Sequence, residues 1–80
     1  AGMTFRVTEV EAIYSPDGWP RPITLLWNGE MLPVIDVGRR WKTEGGIHIL
    51  ARVPDERVFE LSTNGALWRT RVIAYPPGVV

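Results

Sequence analysis

Cysteine is absent from the 80 residues, which removes disulfide staples and thiolate metal sites from the ways this chain can hold itself together. Histidine is nearly absent: with His48 alone, neither a zinc centre nor a serine-type triad can be assembled within one chain in the usual way. Long apolar runs are missing, none approaching the about 18 residues of a membrane span, and no basic segment followed by an apolar stretch opens the sequence. Neither insertion nor export is signalled, and the lack of cysteine favours the cytoplasm. Net charge is missing too, since nine basic and nine acidic residues cancel. That argues against a general polyanion binder, whose affinity grows with the phosphates it neutralises. Lysine is confined to Lys42, and the other cations are arginine, which stacks on aromatic rings and makes bidentate contacts as lysine cannot.

Helical periodicity is the next absence. Apolar residues do not recur at i, i+3, i+4 and i+7 over three turns, and seven prolines interrupt nearly every window long enough for a helix. What is there instead is a series of short β-branched and aromatic runs separated by turn residues, the pattern of a small all-β domain. A chain of this length buries only about 60% of the surface its unfolded form exposes, so one core is expected, in a single domain over 3–80. Phe5, Trp27, Trp41, Phe59 and Trp68 are its expected centre. Ala1-Gly2 ahead of Met3 reads as a remnant of a cleaved expression tag, and the tail "PPGVV" reads as frayed.

The run "TFRVTEVEAIY" places Phe5 and Val7 on one face, then changes phase so that Val10 and Ala12 take over, which predicts a bulge near Thr8-Glu9. In "SPDGWPRP", Pro16 suits the first corner of a turn and Asp17-Gly18 its later positions. "ITLLWNGEMLPVIDV" is a hairpin folded at Asn28-Gly29, because both corners of a type I′ turn need positive φ. Pro33 in its second arm cannot donate to a ladder and belongs on an edge or at a bulge. A charged, flexible loop is expected from Lys42 to Gly46, a tight connection at Pro54-Asp55, and a last hairpin at Asn64-Gly65. The expected architecture is a meander of about six antiparallel strands curled into a small SH3-like or partly open barrel.

An apolar run into "WNG", then "LPVIDVGRRW", "ARV", "VFEL" and "LWRTRV", resembles a small bacterial domain family of unknown function. The resemblance spans Pro22 to Ile73. It is shared by segments at the C-terminus of ImuB-type proteins, the catalytically inactive relatives of translesion DNA polymerases. It implies an accessory or binding role, with DNA repair as a context, and no catalysis. The sequence departs from that family in "RRWKTEGGIHILARV", where Ile49-Leu50 stand in place of a denser cluster of aromatics and arginines.

Residues able to carry chemistry are few. His48 lies between Ile47 and Ile49 on an expected strand, facing away from them, and reads as hydrogen-bonded structure. Glu60, between Phe59 and Leu61, points outward within reach of Arg69 or Arg71 across the last hairpin. Gly45-Gly46 lacks the further glycines and the lysine of a phosphate loop. No catalytic residue, metal ligand or cofactor site is assigned, and an enzyme is not expected.

One constellation stands out: Arg39, Arg40, Trp41 and Lys42 at one strand end, and Arg69 and Arg71 beside Trp68 on the last strand. Alternation places Trp68, Thr70 and Val72 inward and Arg69, Arg71 and Ile73 outward, so Trp68 is expected to anchor the core. The expected role is a protein-binding or self-associating module that uses a sheet edge or apolar patch. The alternative is a nucleic-acid binder using the arginines and an exposed tryptophan.

Overall fold

The computed structural model describes residues 4–75 and contains strands and turns only. Eight strands follow one another as β1 (Arg6–Thr8), β2 (Val10–Tyr14), β3 (Pro20–Trp27), β4 (Glu30–Pro33), β5 (Asp36–Thr43), β6 (Gly46–Arg52), β7 (Val58–Thr63) and β8 (Trp68–Ala74). They form two antiparallel sheets, one ordered β1-β8-β7-β6-β5 and the other β2-β3-β4. Among the described residues no helix is long and apolar enough to cross a membrane. The tag remnant and the "PPGVV" tail lie outside the described residues.

Eight strands arise where about six runs were expected because two of the runs change sheet midway. Thr8 pairs with Trp68 on β8, whereas the next carbonyl, that of Glu9, accepts the Leu26 N–H of β3 at 2.9 Å. The phase change in the first run is this corner. A second corner follows β4: the Val34 N–H donates to Ile23 on β3 and the Ile35 N–H to Arg52 on β6, each at 2.9 Å. Consecutive residues thus bond to different sheets. The two sheets pack face to face and are not closed into a barrel.

The core lies between them. Phe59 of β7 is fully buried beside Leu25, Leu61, Val53 and Val72, and meets Trp27 of β3 edge to face at 5.1 Å between centroids. Trp68 packs against this cluster from β8, as alternation requires. Phe5 and Trp41 do not join it. The ladder pairs Arg6 with Thr70 and Thr8 with Trp68, so Arg6 and Thr8 take the inner face. There the Thr8 and Thr70 hydroxyls bond to each other, and the Arg6 guanidinium covers the Trp27 ring at 4.3 Å. Phe5 and Val7 are turned outward, Val7 to 63% exposure. A polar partner on each side of the pair outweighs the apolar character of Val7.

The turns follow from their residues. Asn28 (φ 50°) and Gly29 (φ 79°) both take the left-handed region a two-residue hairpin needs, and Gly18 N–H closes on the Ser15 carbonyl with Pro16 at the first corner. Pro33 is exposed on β4, an edge strand. At the last hairpin Asn64 works differently: its Oδ1 accepts the N–H groups of Ala66 and Leu67 across a longer loop. The segment expected to be a flexible loop is tighter than its composition suggests, with β5 running to Thr43 and pairing it with Gly46. Gly46 has φ +132°, and a Cβ there would strike the Thr63 carbonyl. Since that neighbour is backbone in the next strand, Gly46→Ala is expected to destabilise the fold by about 3 kcal/mol or more in urea unfolding. A loss below about 1 kcal/mol would show that β6 and β7 separate there without penalty.

Candidate functional site

Alternation on the five-stranded sheet sends the side chains of Trp41, His48, Glu60 and Arg71 to the face away from the core, where they form a row with Phe5 across five neighbouring segments. Trp41 lies opposite His48 in the ladder, and their rings stack at 5.2 Å and 8°. Arg39 covers the Trp41 ring at 5.1 Å. Glu60 is only 5% exposed although no second layer among the described residues covers this face. Its Oε2 lies 2.8 Å from His48 Nδ1, and its Oε1 accepts from Arg71 Nε at 3.0 Å and Nη2 at 2.7 Å. Arg71 in turn lies over the Phe5 ring at 4.6 Å. An ionised carboxylate can only accept, so His48 Nδ1 carries its proton toward Glu60.

His48 Nε2 meets Thr43 Oγ1 at 3.0 Å, completing the order hydroxyl, imidazole, carboxylate. That order serves nucleophilic catalysis where a reacting carbonyl and donors for its developing charge can sit beside the hydroxyl. Here Thr43 Oγ1 accepts the Gly45 N–H of its own turn, and the clefts at Trp19, Trp27, Met31 and Gly38 are lined by other residues. The row ties four strands together, and none of these four clefts opens onto it. Among the described residues no group of His, Asp and Glu could hold a metal ion.

The expected basic patch is divided between two faces. Arg39, Trp41, Arg69 and Arg71 lie on the outer face, Arg69 opposite Ser62 and Val7. Arg40 and Lys42 point the other way, opposite Ile49 and Ile47. They meet Trp19, in the β2–β3 connection, at 4.6 and 5.0 Å from its ring. A register shift between Val37 and Arg40 puts Arg40 and Lys42 on the inner face with Val37 and leaves Arg39 and Trp41 on the outer one. Beside Trp19 a cleft of ≈ 400 Å³ opens between the sheets, lined by Pro20, Pro22, Ile23, Val34 and Val37 and flanked by Arg40. Asp17 Oδ2 lies 3.9 Å from Arg40.

Beyond the expected binding residues these clusters take in Trp19 and Asp17 on the inner side and Phe5, Thr43, His48 and Glu60 on the outer. The signal for His48 was its seven-residue separation from Trp41 across the Glu44-Gly45 turn, which sets them opposite once Thr43 pairs with Gly46. Trp19 has no such local signal, since its partners lie more than twenty residues away. Comparison with family models, curated proteins and solved structures finds no match to this chain.

Removing the Glu60 carboxylate leaves Arg71 without its buried counter-charge and His48 without its acceptor. Glu60→Ala is therefore expected to cost about 3 kcal/mol in chemical denaturation. Replacing both ions with apolar residues, Glu60→Leu with Arg71→Met, should cost about half as much, the remainder being His48 left without its acceptor. Equal losses in the two variants would mean that the pair is not what Glu60 contributes.

Proposed function

We propose that this chain is a non-enzymatic binding module that docks a protein partner along β5. The observation that carries the reading is the length of an open edge: β5 runs for eight residues, all exposed except half-buried Trp41, and among the described strands bonds to β6 alone. The other edges are shorter, with three residues in β1, five in β2 and four in β4. An unpaired edge is a template on which another strand can form. Main-chain bonds then supply affinity and alternate side chains supply selectivity. The irregularity between Val37 and Arg40, together with the cations Arg39, Arg40 and Lys42, guards this edge against indiscriminate pairing.

The two corners support treating the sheets as a partly open barrel of the SH3-like kind, in which the edge and the Trp19 cleft face outward together. The resemblance to the C-terminal segments of ImuB-type proteins fits the same accessory role. Self-association along β5 and nucleic-acid binding are less well supported. For nucleic acid, the Trp41 ring is engaged by His48 and Arg39 and the Trp19 ring by Arg40 and Lys42, so a base would have to displace them to stack.

Photo-crosslinking residues placed at positions 39 and 42, with position 31 on β4 as a control, test the reading in cells. Discrete protein adducts are expected from the two β5 positions and not from the control. If β5 yields none, or no more than β4, the edge is not a docking surface.

A further inference from the structure

The cations of β5 point in two directions within one short stretch. Arg39 stands with Trp41 on the outer face, while Arg40 and Lys42 stand against Trp19 on the inner face. Three acids lie near them, yet among the described residues neither Arg39 nor Lys42 is paired with a carboxylate: Asp36 is engaged by Arg52 at 3.4 Å, Asp17 stands 3.9 Å from Arg40, and Glu44 occupies the turn after Thr43. In a chain with no net charge, the one long open edge is locally cationic on both sides.

We infer that the occupant of β5 is an acidic, extended segment of a partner protein, added to the five-stranded sheet as a sixth strand. This rests on the reading of β5 as the docking edge and names what it takes. Opposite charges facing each other across a strand pair are favourable and like charges are not. A second copy of β5 laid antiparallel on the first about Arg40 or about Trp41 would set Arg40 opposite its own copy or opposite Lys42, on the same face, so self-pairing works against itself. An acidic strand meets a cation whichever face its side chain takes. Regular pairing with β6 runs from Arg40 to Thr43 and resumes at Asp36–Val37, with the irregularity between Val37 and Arg40 interrupting it.

The cleft adds a second requirement. It lies beside Arg40 on the inner face with a mixed lining: Ser15, Arg21 and Asp36 are polar, while Trp19, Pro20, Pro22 and Ile23 offer an apolar wall on which one apolar side chain can pack next to the ion pair. Residues on one face of a strand are two apart. The ligand therefore carries an acidic residue and an apolar residue at i and i+2, both turned toward the cleft.

The test uses the isotope-labelled full chain and three synthetic heptapeptides, followed through backbone amide shifts at low salt. One peptide contains Asp and Glu with Val at i, i+2 spacing, the second has Lys in place of each acid, and the third is the acidic peptide N-methylated along one edge. The acidic peptide is expected to shift the Arg39–Thr43 amides, and the other two to bind at least about tenfold more weakly. The variant R39E/R40E/K42E should reverse the preference between the acidic and Lys peptides. Equal binding of the N-methylated peptide would reduce the effect to ion pairing and overturn strand addition; equal binding of the Lys peptide, or none of the acidic one, would overturn the ligand class. Tighter binding of an oligothymidylate at the same amides, or a dimer through β5 in light scattering, would overturn it in favour of nucleic acid or a second copy. If β5 crosslinks to a protein in cells while no acidic peptide binds, the ligand class falls and the docking edge stands; if both fail, both fall.

Discussion

Phe59 and Trp27 meet edge to face at the centre of the interface between the sheets, and the rest of the structure is arranged so that they can. A small chain without cysteine has no covalent means of joining its layers, and apolar burial is its main resource. The corners at Glu9 and at Val34–Ile35 bring β3 over β7 and hold it there through backbone bonds to both sheets. Leu25, Val53, Leu61 and Val72 fill the space around the ring pair. Arg6 lies over Trp27 and reaches Asn28 Oδ1 at 2.7 Å, fastening the first hairpin to the same contact.

The middle strands of the five-stranded sheet, β6 to β8, are covered on their two faces by different means. Their inner face is covered by the second sheet, and their outer face by a row of the sheet's own side chains, with Trp41 and Phe5 at the ends and the His48, Glu60 and Arg71 contacts between them. Each polar atom in the middle of that row has a partner of opposite hydrogen-bonding character, which is the condition for burying Glu60 at all. With those faces occupied, the main chain of β5 is the longest stretch of backbone still open to a partner.

What the sequence revealed depends on how local its physical cause is. The positive φ of Asn28-Gly29, the turn at Pro16, the edge position of Pro33 and the inward Trp68 each depend on a few neighbouring residues, and all could be read in advance. The pairing of Glu60 with Arg71 was legible for the same reason, since strand alternation and one hairpin suffice. The orientation of Phe5 and Val7 was not, because it is decided by Thr70 and Trp27, more than twenty residues away. The basic patch divides because adjacent strand residues take opposite faces, and one irregularity after Val37 decides which: it turns Arg40 and Lys42 inward and Trp41 outward. Trp41 read as core because an aromatic residue on a strand looks the same whether its face meets a second sheet or an imidazole.

The corner at Val34–Ile35 has a mechanical side. Because β4 and β5 are one continuous run, bonded to β3 before the corner and to β6 after it, a pull delivered to β5 along its axis loads both ladders in shear, with many bonds sharing the force at once. A pull across the strand would instead peel β5 from β6 one bond at a time. Anything tethered to this edge is thus held firmly along one direction and released easily along the other.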